Sequence, residues 1–201
     1  MNLDEYPKEI TLRDNSKVIL RPLVKEDEKA LNKFFQGLHE EDRLFMRDVV
    51  TDTDIIRGWL KNRDYDKILP ILALDGDIIV ADATLHREPH SWMRHVGQIR
   101  MSVAGSHRGR GLARVIGAEI FRQAVASGLD KLVAEMLTVQ RNAQRVFTRL
   151  GFKEEAVLKD FGMDNLGNKH DLIIMCNNVN SLWDQWVEYT ESVSGTWHME
   201  D

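Results

Sequence analysis

Residues 103–113 read VAGSHRGRGLA, with Gly109 and Gly111 alternating with Arg108 and Arg110. The stretch follows an apolar strand pattern and precedes an apolar-periodic helix pattern. A helix start exposes backbone N–H groups that have no partner inside the helix, and their dipoles converge on one point. Glycine lets an oxygen approach the backbone and tolerates dihedrals that other residues avoid. Arginine adds charge-assisted contacts to an anion. These residue types at this junction can hold a phosphate-like group; the bland alternative is a strand-to-helix turn with two solvated arginines. Two common phosphate loops are excluded by spelling. No Lys-Ser or Lys-Thr pair follows, and Arg114 stands where the dinucleotide fingerprint needs a small residue. The anion is then better read as the diphosphate of some other cofactor.

The elements that position this junction follow from periodicity. Residues 9–23 read as a hairpin turning at Asp14–Ser16. A helix from near Lys25 aligns Ala30, Leu31, Phe34, Phe35 and Leu38; a second, capped by Thr51 or Thr53, aligns Ile55, Ile56, Trp59 and Leu60. Two strands meet at the turn dipeptide Asp75–Gly76. After a polar interruption over 87–95, residues 96–103 alternate, with Ile99, Met101 and Val103 on one face and Gln98, Arg100 and Ser102 on the other. A helix over 111–126, a strand from Lys131 and a short helix ending at Leu150–Gly151 come next. Two more strands joined by a turn-rich connector close the pattern. The order β-β-α-α-β-β-β-α-β-α-β-β, with no linker, predicts one mixed α/β domain over 1–177. Residues 178–201 form a Trp-containing tail in which Leu182, Trp183, Trp186 and Val187 share a helical face. Such a face packs on its own domain or makes a homodimer contact.

Composition narrows the function classes. The 201 residues are 43% hydrophobic and 29% charged with four prolines, which is globular rather than disordered. The net charge of −5 sits in the tail, where Asp184, Glu188, Glu191, Glu200 and Asp201 meet no Lys or Arg. Removing those five from 32 acidic residues leaves 27, against 27 basic ones. Nucleic-acid binding is therefore not expected. Mild acidity would suit a cationic acceptor, though only thinly. No apolar run is long enough to span a membrane. The start lacks a basic, apolar leader, so a cytoplasmic location is expected. Cys176 is the one cysteine and lies in an apolar run, so it reads as core. His86, Glu88, His90 and His95 are spread across the polar interruption and predict no metal site; that loop is expected near the acceptor, with Trp92 as lid or plug.

At this point the chain resembles the GCN5-related N-acetyltransferases. Their acetyl-coenzyme A motif, Gln/Arg-x-x-Gly-x-Gly/Ala, is similar to Arg108, Gly109, Arg110, Gly111, Leu112 and Ala113, with Val103 as the leading strand residue. Their second signature resembles QRNAQRVFTRLGF, and the resemblance runs from about Glu9 to Met175. It implies the acyl-CoA N-acyltransferase fold: α/β, a single-domain mixed, mostly antiparallel sheet flanked by helices. It also implies acetyl-coenzyme A as donor, with the backbone of Met101, Ser102 and Val103 holding the pantetheine arm. The N–H groups from Arg108 to Ala113 would hold the pyrophosphate. The side-chain contact to the arm falls on Gln140, with Asn142 as substitute.

The chain departs from the family at both usual acid–base positions. Phe147 stands where a tyrosine often protonates the leaving thiolate, and Gln98 where a carboxylate often serves as base. Neither can do that chemistry. A lysine-type amine with a reference pKa near 10.4 must still lose a proton before it attacks. Asp82, Thr84 and His86 share one strand face, and Asp82, His86 or Glu135 could accept that proton. The expected reaction is acetyl transfer to a primary amine, on a small molecule or on a protein lysine or N-terminus. The competing expectation is a non-catalytic coenzyme A-binding sensor or interaction domain.

Overall fold

The computed structural model describes residues 3–164 and 166–179. The expected Trp-bearing helix of the tail lies outside the described residues. Two strands, β1 (Lys8–Thr11) and β2 (Lys17–Pro22), form the opening hairpin. Its turn holds Asn15 at φ 64, and the Asp14 carboxylate accepts from the Ser16 backbone N–H at 3.1 Å. Helices α1 (Glu28–Gln36), α2 (Glu40–Leu44) and α3 (Thr53–Lys61) follow. Strands β3 (Ile68–Asp75), β4 (Ile78–Arg87) and β5 (Val96–Val103) lead into α4 (Leu112–Ala126). The chain closes with β6 (Lys131–Leu137), α5 (Arg141–Arg149), β7 (Lys153–Met163) and β8 (Lys169–Asn178).

All eight strands join one sheet in the order β1-β2-β3-β4-β5-β6-β8-β7. Only β5 and β6 are parallel, linked by the α4 crossover; every other neighbour is antiparallel. This is the mixed, mostly antiparallel sheet that the pattern predicts. Alternation divides the apolar residues between two faces. On one face Leu69, Ile71, Ala83, Leu85, Ile99 and Leu132 pack under Leu112, Ile116 and Ile120 of α4. On the other, Leu72, Leu74 and Ile79 pack under Leu31, Phe34, Phe35, Ile56 and Leu60 of α1 and α3.

Three local expectations need correction. Helix α2 is additional: its five residues, EEDRL, bury nothing and carry no apolar stripe to read. The cap of α3 is Asp52, whose side chain accepts from the Asp54 N–H at 2.9 Å, rather than Thr51 or Thr53. Ile55 and Trp59, assigned to the buried face of α3, instead line a cleft. Cys176 is half-buried on β8 across from Val133, and burial pushes its thiol up.

Candidate functional site

Strands β5 and β6 pair only at Val96–Lys131, Gly97–Leu132 and Gln98–Val133. Beyond Gln98 they diverge, and a cleft of about 1220 Å3 opens between them. The divergence leaves the β6-facing edge of β5 without a strand partner from Ile99 onward. Unpaired strand backbone is a ready template for an extended amide-bearing ligand. Met101, Ser102 and Val103 all line the cleft along that edge. Among the described residues, the Val103 carbonyl is met by Arg108 Nε at 3.2 Å.

The cleft ends at the start of α4. Gly109 and Gly111 hold φ of +79 and +90, the left-handed region open to glycine. Gly111 caps α4, and its carbonyl accepts from Arg114 and Val115 at 3.0 and 3.1 Å. Among the described residues, no backbone acceptor meets the amides of Gly109, Arg110, Gly111, Leu112 or Ala113. The Arg108 amide differs, donating to the Gly105 carbonyl at 3.3 Å. A Cβ on Gly109 would meet only open space. These orphan donors, with Gly109, Gly111, Leu112 and Ala113 on the cleft wall, fit the diphosphate of a coenzyme. The two arginine side chains are less direct. Arg108 reaches Asp42 of α2 at 2.6 Å, and Arg110 turns outside the cleft to Asp14 at 3.4 Å.

The face beneath α1–α3 carries the polar row. Across β4 and β5, Asp82 pairs with Ser102, Thr84 with Arg100 and His86 with Gln98. Asp82 sits on the cleft floor, and burial pushes its carboxyl up to about 7. Among the described residues no hydrogen-bond donor or cation offsets that burial. His86 is pushed down to about 4 by burial first, then by the charges of Arg100 and Arg47. Its Nε2 lies 3.0 Å from Thr84 Oγ1. At neutral pH His86 is thus a neutral, weakly basic ring, whereas Asp82 is poised between its two states. Gln98 accepts from Arg100 Nη2 at 3.0 Å. Glu135 also faces the cleft but is committed to an ion pair with Arg47.

The second signature is placed beside them. Gln140 caps α5, but its Oε1 accepts from the Leu137 N–H at 2.8 Å and is therefore engaged. Asn142 is exposed on the cleft lip, leaving it the freer amide of the two. Phe147 lines the cleft at 6% exposure, edge-on to Phe152 with centroids 5.1 Å apart. Tyr6 and Tyr65, the described tyrosines, donate to Glu119 and to the Leu23 carbonyl and are not among the cleft-lining residues.

The 86–95 loop does not reach this site beyond His86. Strands β4 and β5 stay paired out to Arg87–Gly97, which carries the loop past the sheet end toward Ser127–Leu129. Trp92 there is 85% exposed, so it is neither lid nor plug. Among the described residues no group of His, Cys, Asp and Glu could hold a metal. The cleft wall that the loop was expected to supply is built instead by the segment from α2 to α3: Phe45, Met46, Arg47, Asp48, Val50 and Trp59. Sequence reading missed Phe45 to Val50, because nothing periodic marks them; Trp59 it placed on the helical stripe of α3, as core. Phe45 is braced edge-on by His170 at 5.7 Å, and His170 in turn contacts Asp164 at 2.8 Å.

Comparison with known proteins places the chain. The family model described as Acetyltransferase (GNAT) family matches residues 31–152. No curated protein matches by sequence. The GNAT domain of S. lividans PAT is similar at 16% identity and TM-score 0.74, over 89% of this chain and 99% of that one. The protein yncA of Salmonella typhimurium, solved with its cofactor acetyl-CoA, has 18% identity and TM-score 0.68 over 82% and 95%. A ribosomal-protein-alanine N-acetyltransferase of Brucella melitensis has 23% identity and TM-score 0.67 over 79% and 98%. At these identities the likenesses show a shared fold.

Proposed function

The chain belongs to the GNAT family of acetyltransferases, and on that premise we propose that it transfers acetyl from acetyl-coenzyme A to a primary amine. The observation that carries this is the divergence of β5 and β6 into a cleft that runs up to the free amides of 109–113. Acetyl-coenzyme A supplies an activated acetyl group as a thioester. Gly109–Ala113 would hold its diphosphate, the Met101–Val103 edge its amide-bearing arm, and Asn142 would hydrogen-bond the arm from the lip. The S. typhimurium protein of the same fold, solved with acetyl-CoA, supports that donor.

Asp82 takes the proton from the acceptor ammonium. The freed amine then bonds to the acetyl carbon, the tetrahedral adduct loses the nitrogen's surplus proton to solvent, and the carbon–sulfur bond breaks with the sulfur leaving as thiolate. A base near pKa 7 is well matched to that task at neutral pH. Holding the amine against the thioester supplies much of the rest; placement alone is worth about 7–11 kcal/mol. Transfer is direct, since Cys176 is not among the cleft-lining residues.

One observation favours a second reading, a coenzyme A-binding module without turnover: Phe147 offers no proton to a departing thiolate. A single experiment separates the two. The protein is given acetyl-coenzyme A with amino acids, polyamines, aminoglycosides, lysine peptides and free N-terminal peptides, and thiol release is followed. Release with one acceptor class is expected. Tight coenzyme A binding with no release across the whole panel would leave only the binding module.

A further inference from the structure

The cleft contains a half-buried charge that acetyl transfer leaves unused. Arg100 stands on β5 across from Thr84, on the same face as Ser102 and Asp82. Its Nη2 donates to Gln98, but its Nε is sealed from water with no acceptor. Among the described residues no carboxylate lies within ion-pair distance; Asp48 acts on it only as a more distant charge. The neighbouring cation, Arg47, is committed to Glu135. Elsewhere in the cleft Arg108 is committed to Asp42, and Arg63 stacks on the Tyr65 ring at 5.3 Å. A guanidinium drawn out of water without a counter-ion is costly. Burial, followed by the charge of Arg47, holds Arg100 below the ordinary arginine range, as an unmatched cation should be.

We propose that Arg100 docks a carboxylate carried by the acceptor, so that the acceptor is a small amino acid, a class that presupposes the acetyl transfer proposed above. The planar guanidinium fork matches a carboxylate two oxygens at a time. At Arg100 itself the fork takes both oxygens of a carboxylate, whereas a phosphate would leave an oxygen and a second charge unmatched by it. Spacing sets the size. Same-face neighbours along a strand are about 6.5–7 Å apart, and Arg100 is one such step from Ser102, which faces Asp82. An amine at Asp82 and a carboxylate at Arg100 are therefore separated by a few bonds, as in α- to γ-amino acids. A polyamine would set its second cation against Arg100 and is disfavoured.

The test uses matched pairs: the common amino acids and γ-aminobutyrate, each beside its carboxamide, with phosphoethanolamine and spermidine as further probes. Thiol release gives kcat/KM, and calorimetry on the coenzyme A-saturated protein gives binding without turnover. At least one acid should exceed its carboxamide by tenfold or more, chiefly through KM. Arg100→Gln should bring that ratio toward one, and Arg100→Lys should retain part of it. Coenzyme A titration of each variant reports whether it is folded. Equal use of acids and carboxamides, a preference for phosphoethanolamine or spermidine, or an unchanged ratio in Arg100→Gln would each overturn the assignment. Carboxylate-selective binding that Arg100→Gln abolishes, with no thiol release from any amine, would keep the carboxylate site and reject acetyl transfer. No selective binding of any acid would reject the carboxylate site itself.

Discussion

Asp82 is the residue on which the proposed chemistry is most exposed to test. Burial pushes its carboxyl from an ordinary value of 3.8 up to about 7. A base must be deprotonated to work, so kcat should rise as pH increases through about 7. Asp82→Asn should lower kcat by roughly 10²–10⁴-fold, the usual worth of a positioned base, and remove that limb of the profile. A variant that kept both the rate and the limb would show that Asp82 is not the base. Stability carries an independent signature. Between about pH 4 and 7 the folded chain holds this proton and the unfolded chain does not, so the contribution is full below that window. It is lost as pH rises through the folded value. Asp82→Asn should therefore raise the melting temperature more at pH 8 than at pH 4, which thermal melts would measure. The row Asp82, Thr84, His86 was legible from period-two spacing alone. Its electrostatics were not: they depend on β3, β5 and α1–α3 closing over it. Arg100 shows the same limit, because whether a strand arginine has a partner is decided by residues far off in sequence.

At the scale of elements, the cradle depends on two glycines doing different work. Gly111 is the cap of α4, at φ +90, where an added Cβ would meet the Arg13 side chain at 3.4 Å in ordinary contact. Gly109, at φ +79, has open space around it. A left-handed conformation costs a residue with a side chain roughly 1–3 kcal/mol where the surroundings impose it. Gly111→Ala should relieve that strain by turning the first amides of α4, weakening coenzyme A at least tenfold in a direct titration. Gly109→Ala strains a residue that caps no helix and should weaken it less. Wild-type affinity in both variants would mean that the amides of 109–113 are not what holds the ligand. These glycines could be picked from sequence because a strand, a glycine pair and a helix were all readable around them. The acceptor wall could not. It is made by α2 and the segment after it, where EEDRL has no apolar stripe and position comes only from contacts such as Phe45 on His170. The 86–95 loop misled for the converse reason: its place in the chain suggested the acceptor side, but the paired length of β4 and β5 carries it away.

For the whole molecule, net charge does not describe the local charges of the cleft. A chain of charge −5 still lines it with Arg100, which has no carboxylate within ion-pair distance among the described residues. Charge inside the fold is arranged locally, and the strongest arrangement lies away from the cleft, where β1 meets α4. Lys8, 5% exposed, contacts Glu119 at 3.3 Å and Glu5 at 2.8 Å. Arg122 reaches the same two carboxylates at 2.8 and 3.0 Å, and Tyr6 donates to Glu119. Burial alone would raise the Glu119 carboxyl, but hydrogen bonds from Arg122 and the charges of Lys8 and Arg122 outweigh it and hold it low. Nothing in the sequence pattern announced this cluster, since Lys8 and Glu119 are 111 positions apart. Removing one partner of a buried pair strands the other, at a cost of about 3–5 kcal/mol. Glu119→Gln keeps the shape and deletes the charge, so its melting temperature should fall by ~6–20 °C for a chain of this size. With the carboxyl held low in the fold, its stabilisation is present above the unfolded value near 4.5 and fades as pH falls below it. The gap between wild type and Glu119→Gln should therefore narrow on acidification. Lys8→Met in the same chain should recover part of the loss, because the stranded ammonium goes with it. If the double variant melts at the sum of the two single losses, Lys8 and Glu119 do not act as a pair.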